Sequence, residues 1–468
     1  MSQPNATPEL KRTLGLFSAA AIVVGSMVGS GIFLVTPESA RFMGNADWLI
    51  LLWVMTGIIT VLGATSYGKL ARYMPEAGGQ YVFLKECWGR LPAFLYGWVF
   101  FWVIQTGFLA AVAVAFARYV GVLWPVINTS PVFMLPFQIP MTTEKMLAVV
   151  CLTFLTWLNT RGVEAGAKIQ NVFTTLKVAS LLLLVAVGLA FGQQIAQPGV
   201  LDLTFQLPQG SPLMETGVLA ALSVAAIGPL FSSDAWNYVT FIGGEVVNPK
   251  ETLPKALILG ATLVVVLYVL ANIAYINVIP FEQIQTVPDD KVAALMMELL
   301  FGATGKVVIA IMILISTFGC LNGMVLSGAR VFYAMAKDGL LLPQFAQVDS
   351  KTQSPNFSLW AQYGWALLLA LSGSYTTLLA YIVFTALVFY IITMAGLLRL
   401  ARRVPEEVGM TRWVDYMAPV LYIAGALVLC AFMLVGESSR ATSLMGISLV
   451  LTGLPVYAIW LKNPKAAS

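Results

Sequence analysis

Histidine is absent from the 468 residues. No imidazole is available to bind a metal, relay a proton or complete a hydrolase triad. Charge is scarce as well. Asp, Glu, Lys and Arg make up 10% of the chain, against about 25% in soluble globular proteins. A soluble fold of this size would have to present a largely apolar surface to water, so a bilayer is the natural solvent. The four cysteines, Cys87, Cys151, Cys320 and Cys430, are scattered, and none forms a C-x-x-C pair. That argues against a metal site or a disulfide framework. The net charge of +4 is small, whereas nucleic-acid binding calls for a basic face. No cofactor, no metal and no nucleic acid is expected.

What the chain does have is apolar length: 59% of its residues are hydrophobic. Twelve apolar stretches approach the roughly 20 residues that a membrane helix needs. They cover 14–42, 48–70, 91–123, 145–160, 169–191, 214–243, 253–279, 305–334, 358–373, 375–399, 413–435 and 441–461. The fourth and ninth are short. The first, third, sixth and eighth are long, and such length implies tilt, a break or extension beyond the bilayer. A polar tail over 1–12 precedes the first stretch, without the small-residue cleavage pattern of a signal peptide. An amphipathic segment, DDKVAALMMELL, lies within 280–304 and predicts a short helix outside the membrane. No loop is long enough for a separate domain.

An even number of spans puts both termini on one side. Arg41, Arg118, Lys145, Lys291, Lys306 and Arg440 fall on the opposite side, and Lys177 lies inside the fifth span. The other 19 of the 26 Lys and Arg residues share the side of the termini. This bias places both termini, including the C-terminal tail 462–468, in the cytoplasm.

Two spans are interrupted. The first reads AAIVVGSMVGSGIF, with Gly25, Gly29 and Gly31 crowding its middle. Gly25 and Gly29 form a G-x-x-x-G pair that would serve close helix packing. Gly29-Ser30-Gly31 also favours non-helical backbone. Unwinding there frees N–H and C=O groups that hydrocarbon cannot satisfy. The sixth span, GPLFSSDAWNYVTFIGGE, carries Gly228, Pro229, Ser232, Ser233, Asp234 and Asn237. Proline kinks a helix, and a carboxylate deep in the membrane is a functional candidate. The plainer reading is a kink whose polar groups are tied to neighbouring helices.

The breaks lie in spans one and six, so each half holds five spans: 14–191 and 214–399. An odd number per half makes the second copy inverted, and 413–461 adds two helices. Interrupted helices in corresponding positions of two halves point to a transporter site. A half-helix N-terminus suits a carboxylate, and a half-helix C-terminus offers carbonyls to an ammonium. An α-amino acid carries both groups on one carbon.

Lys177 stands about nine residues into its span, about 13 Å deep at 1.5 Å per residue. Snorkelling would explain a lysine near an edge. At this depth a fixed partner is expected: the carbonyls or Ser30 of the broken first span. Such a cation would substitute for a bound sodium ion.

These segments resemble the amino acid–polyamine–organocation superfamily in its L-type amino acid transporter branch. The motifs are GSGIF (29–33), Phe231 to Asn237 followed by GGEVVNPKETLP (243–254), MPEAGGQYVFLKECWGRLPAFLYGW (74–98), FTTLK (173–177), and the stretch 319–343. The resemblance spans nearly the whole chain. It implies an all-α integral membrane protein of twelve transmembrane helices. Their arrangement would be a five-plus-five inverted repeat of the LeuT type plus two C-terminal helices, with spans 1 and 6 broken. It also implies sodium-independent exchange of amino acids by alternating access at the cell membrane. On this chain the amides of Ser30 and Gly31, beside Gly29, would hold the substrate carboxylate. The carbonyls of Met27, Phe231 and Asp234 would hold its ammonium, next to Ser232. Phe231 resembles the aromatic gate, and Trp236 and Asn237 would shape the pocket from below. Asn322 would steady the eighth helix against the first. Ile104, Gln105, Phe108, Tyr381 and Phe384 are candidate walls.

Two features depart from the animal L-type pattern. Asp234 stands where that branch has a small residue, either binding a substrate cation or bonding to local backbone. The loop 124–144 has no cysteine to link a heavy-chain partner, so no disulfide-linked partner is expected, and a bacterial-type member is suggested. Neutral L-amino acids are the expected substrates. A cationic amino acid or polyamine antiporter of the same fold is the alternative, and an amino-acid-sensing membrane protein a remote one. An enzyme would need a nucleophile and base in place, and the chain has no histidine or paired acids mid-membrane.

Overall fold

The computed structural model describes residues 12, 14–136, 139–161, 163–192, 203–207, 209–352, 354–372 and 375–462. Apart from residues 12 and 462, the two expected tails lie outside them.

The chain is mostly helical. The expected first span is three helices, α1 (Leu16–Met27), α2 (Gly31–Leu34) and α3 (Thr36–Met43). Gly44 ends α3 at φ 70°, and Asn45 caps α4 (Ala46–Tyr73) by accepting from Trp48 N. α5 (Gln80–Trp88) leads to α6 (Arg90–Val99) and α7 (Gln105–Leu123), which form one rod through a π-helical turn at Phe100–Ile104. Thr106 Oγ donates to Phe101 O at 2.6 Å across that turn.

The loop after α7 departs from an all-α expectation. It holds a hairpin, β1 (Pro131–Leu135) paired antiparallel with β2 (Ile139–Thr142). Its short apolar segments meet their backbone polar groups in a ladder instead of leaving them unpaired. Thr142 then caps α8 (Thr143–Asn159) by accepting from Lys145 N, and α9 (Val163–Phe191) follows.

The sixth span is the most fragmented: α10 (Pro212–Glu215), α11 (Val218–Ala225), α12 (Ile227–Ser232) and α13 (Tyr238–Phe241). After it come α14 (Pro249–Val278), α15 (Phe281–Gln285) and α16 (Val292–Lys337). The expected outer helix is the first part of α16, set off by Gly302 at φ 63°, ψ −153°. The chain ends with α17 (Asn356–Ser372), α18 (Tyr375–Ala401), α19 (Pro405–Val408), α20 (Val414–Val435) and α21 (Glu437–Lys462).

Among the described residues, nine helical stretches are long and apolar enough to cross a membrane. α8 and α17 fall just short at 17 residues each, and Val218–Ser232 is interrupted. Many such helices make a multi-pass membrane protein. α1 and α12 lie inside the bundle, walled by α4, α7, α9, α14, α16 and α18. Glycines bring these walls close: a Cβ on Gly260 of α14 would sit 2.7 Å from Val23 Cβ.

Candidate functional site

The first interruption falls at Val28–Ser30, where the α1 ladder stops. Gly29 N turns back to Met27 O at 2.8 Å, and helix resumes at Gly31. The second falls at Ser233–Asn237, with Ala235 at φ 65°. Gly228 and Pro229, expected within this break, instead lie in α12. Pro229 occupies the first turn, where amides have no partner within the helix. Gly228 serves packing, since a Cβ there would meet Val35 Cβ at 2.7 Å.

The two interruptions touch. A Cβ on Gly31 would lie 2.1 Å from Ser232 Oγ and 2.8 Å from Ser232 Cα. Only glycine permits this approach. Between them is a narrow cavity of about 10 Å³. Met27, Gly29, Ser30 and Gly31 line it from one side, and Phe231, Ser232, Asp234 and Ala235 from the other. Phe108 and Val112 of α7 and Cys320 and Met324 of α16 close it. The Phe231 ring stacks on Phe108, with centroids 4.8 Å apart and planes at 18°.

Around the α1 break the protein itself meets most of the exposed carbonyls. The Lys177 ammonium, fully buried, donates to Gly25 O and, at 3.2 Å, to Val28 O. Ser316 Oγ reaches Val28 O at 3.1 Å, and Cys320 Sγ reaches Ser26 O at 3.2 Å. Tyr268 OH donates to Met27 O at 2.9 Å and lies 3.3 Å from Ser232 O, so one hydroxyl spans both interruptions. Met27 O thus accepts from Gly29 N and Tyr268 OH together. Helix α2 begins at Gly31, in the cavity wall.

Asp234 is buried, and its Oδ1 accepts from Ala235 N at 2.7 Å and from Tyr390 OH at 2.6 Å. It also borders a second small cavity with Thr60, Ser233, Trp236, Tyr390 and Tyr422. Trp236 belongs to that cavity, stacked on Tyr390 at 5.4 Å and edge-on to Tyr67 at 4.8 Å. Asn237 Nδ2 faces Gln80 Oε1 at 3.4 Å.

Of the five candidate wall residues, Phe108 lines the first cavity. Gln105 is a hub instead. Its amide nitrogen donates to Met324 O and Gln362 Oε1, and its oxygen accepts from Tyr238 OH. Ile104 is buried at the end of the π turn, and Phe384 packs near Gly446. Tyr381 packs, half-buried, against the core. Asn322 accepts from Asn159 Nδ2 at 2.8 Å. It therefore joins α16 to α8.

Sequence reasoning missed Tyr268, Ser316, Cys320 and Tyr390. Tyr268 had a signal, as a lone hydroxyl in the apolar run VVVLYVL. Ser316 and Cys320 are four apart on α16 and so share a face. Among the described residues, no group of three or more Cys, Asp or Glu side chains is placed to hold a metal ion. All four cysteines are free and buried.

The amino acid permease family profile matches residues 14–455. The human large neutral amino acids transporter small subunit 2 is 30% identical over 471 residues, covering 98% of this chain and 83% of that protein. The mouse Asc-type amino acid transporter 1 is 30% identical over 460 residues, covering 97% and 83%. The human cystine/glutamate transporter is 27% identical over 463 residues, covering 98% and 87%. The chain belongs to the amino acid permease family of the amino acid–polyamine–organocation superfamily, whose members are membrane transporters and not enzymes.

Proposed function

We propose that this protein is a secondary transporter that exchanges neutral L-amino acids by alternating access, without sodium. The observation that carries this reading is the Lys177 ammonium on the carbonyls of Gly25 and Val28. It puts a fixed lysine side chain against the first interruption, beside a cavity lined by residues of both broken helices. An antiport function in amino acid transport also agrees with the relatives, named for large neutral amino acids, Asc-type transport and cystine/glutamate.

In this reading the substrate carboxylate meets the amides at Ser30 and Gly31, where the positive end of α2 adds to their effect. Its ammonium meets the carbonyls of Phe231 and Asp234, and shares Met27 O with Tyr268. Phe231, stacked on Phe108, covers the site. The cationic alternative needs a carboxylate aimed at substrate. One oxygen of the Asp234 carboxylate, Oδ1, is already engaged by Ala235 N and Tyr390 OH, which favours neutral side chains.

Counting α8, α17 and the α11–α13 segment with the nine long stretches gives twelve spans. Pairings between halves support an inverted five-plus-five repeat. α4 packs on α14, α7 on α16 and α8 on α17. The exchange-related pairs α1 with α9 and α12 with α18 also occur, as do α9 with α16 and α18 with α7. The repeats would be 14–191 and 214–399, with 413–461 appended. The positive-charge bias supports cytoplasmic termini in a cell membrane. With its cysteines buried and none in 124–144, the chain would work without a disulfide-linked heavy chain.

Counterflow in proteoliposomes tests the function. A labelled neutral amino acid should accumulate against an unlabelled internal pool, equally in sodium and in choline. Neutral amino acids should compete better than lysine, arginine or putrescine. Uptake that required sodium, or that cationic compounds inhibited best, would overturn this reading.

A further inference from the structure

The outer surface of the bundle carries a crevice away from the substrate cavity. It runs between α4 and α14, which pack antiparallel. Its middle is apolar, walled by Val54, Ile58, Val61 and Leu62 of α4 and by Val265, Val266, Val269 and Leu270 of α14. The floor is narrow because Gly57 has no side chain: a Cβ there would lie 2.4 Å from Val265 Cγ1. One turn further along α4, and two turns back along α14, a second and basic recess follows between the same two helices, bordered also by Val408 and Gly409. Lys69, Arg72, Lys250 and Lys255 line this end, with Glu251 as the one acid in its wall.

The four cations are not equivalent. Lys69 is held by Gly409 O at 2.9 Å and by the Asp415 carboxylate at 3.1 Å. Lys255 lies 3.4 Å from Glu251. Among the described residues, Arg72 and Lys250 have no ion-pair partner, and both are exposed. Two unpaired cations therefore stand in a recess further along the helix pair from an apolar slot, at the end that the positive-charge bias assigns to the cytoplasm. From Val54 to Leu62 the slot is about 12 Å long at 1.5 Å per residue. That approaches one leaflet of a hydrocarbon core about 30 Å thick.

We propose that this crevice is a binding site for one anionic phospholipid of the cytoplasmic leaflet. Arg72 and Lys250 take the headgroup phosphate, and an acyl chain lies in the α4–α14 slot. The order of the two parts along the helix pair, charge at the membrane edge and apolar wall toward the middle, is the order of the two parts of a lipid. Basic pockets between membrane helices on the cytoplasmic side are suited to such headgroups. A free phosphate ion would use the basic end alone and leave the slot without a purpose.

The test is native mass spectrometry of the full-length protein in detergent. Dioleoyl phosphatidylglycerol, dioleoyl phosphatidylcholine and inorganic phosphate are added separately at equal concentration. The wild type should retain phosphatidylglycerol at least about fivefold better than phosphatidylcholine, the order expected of cations beside an anionic headgroup. Arg72→Gln/Lys250→Gln should remove the preference. Val61→Trp, which fills the slot and leaves the cations in place, should also lower retention. Arg402→Gln/Arg403→Gln removes two exposed cations elsewhere on the same face and should leave retention unchanged. A monodisperse gel-filtration profile shows that each variant is folded, and either of the first two suffices if the other is not. Three results would overturn the proposal. One is equal retention of both lipids by the wild type. The second is an equal loss in Arg402→Gln/Arg403→Gln, which would assign the preference to the basic face as a whole. The third is a phosphate adduct that Arg72→Gln/Lys250→Gln abolishes while Val61→Trp leaves phosphatidylglycerol retention intact, which would make this a bare phosphate site.

Discussion

Lys177 Nζ lies 3.2 Å from the carbonyl oxygen of Val28, 149 positions away in the chain. The same ammonium reaches Gly25 O, so it bridges the last turn of α1. Those carbonyls carry the negative end of the helix dipole. A buried charge without partners is strongly unfavourable, and here the break in α1 supplies them. Lysine and break therefore stabilise each other: the unwound turn offers acceptors, and the ammonium keeps them from standing bare.

Lys177→Ala should abolish that relation. A hydrogen bond to a charged group contributes about 1.5–3 kcal/mol, and about 1.4 kcal/mol is a factor of ten. Exchange at sub-saturating substrate should therefore fall at least about tenfold, with the protein still inserted and monodisperse. Initial rates of counterflow, normalised to reconstituted protein, read this directly. Unchanged uptake would show that the ammonium has no part in holding the site.

Tyr268→Phe removes one oxygen and keeps the ring, which stays edge-on to Trp53 at 5.8 Å. It breaks the link from Met27 O to Ser232 O. We expect a stability loss of about 1 kcal/mol, the ordinary net contribution of a hydrogen bond, seen as a small drop in Tm. We also expect a several-fold rise in KM with a smaller change in maximal rate, because the hydroxyl sets the spacing of the two interruptions. A KM equal to the wild type would assign Tyr268 to stability alone.

The sequence made some of this visible and hid the rest for physical reasons. GSG in the first span and SSDAWN in the sixth marked the two breaks, because glycine and polar residues cannot go unexplained in an apolar run. The depth of Lys177 marked its partner helix. Gly228 and Pro229 misled: the same residue types serve close packing, and only the contact with Val35 distinguishes the two uses. The hydrogen-bond hub at Gln105 was not legible in detail, because a π turn rotates the helix locally and α-helical spacing cannot foresee that. Tyr268 was passed over because tyrosine in a membrane helix is ordinary until its hydroxyl is seen between two carbonyls. The hairpin at 131–142 carried no strong alternation to announce it.

Asp234→Asn tests the competing substrate class. The carboxylate accepts from Ala235 N and Tyr390 OH, and an amide oxygen can accept both bonds, less strongly. The order in which neutral and cationic amino acids compete should be unchanged. Tm should fall by an amount worth about 1 kcal/mol, since charge-assisted bonds are the stronger kind. A gain or loss in inhibition by lysine or arginine, with neutral competition unaltered, would place Asp234 in contact with substrate.

The sharpest test uses the two glycines of the first interruption, because the geometry separates them. A Cβ on Gly31 would fall 2.8 Å from Ser232 Cα, a backbone atom that has nowhere to go unless the two broken helices separate. A Cβ on Gly29 would fall 3.0 Å from Cys320 Sγ, the end of a side chain. Overpacking a close contact costs about 1–3 kcal/mol. That strain lands on the substrate site in the first case and on a neighbouring thiol in the second. Gly31→Ala should therefore cut exchange by more than about tenfold, whereas Gly29→Ala should lose only a few-fold. Cys320→Ala should restore part of the loss in Gly29→Ala by vacating the thiol position, and Ser232→Ala should give little relief to Gly31→Ala, because the Cα clash remains. Counterflow rates of the four single and double variants decide it. Equal losses at both glycines, with no rescue by Cys320→Ala, would mean that backbone freedom, not the contact between the two interruptions, is what the glycines supply.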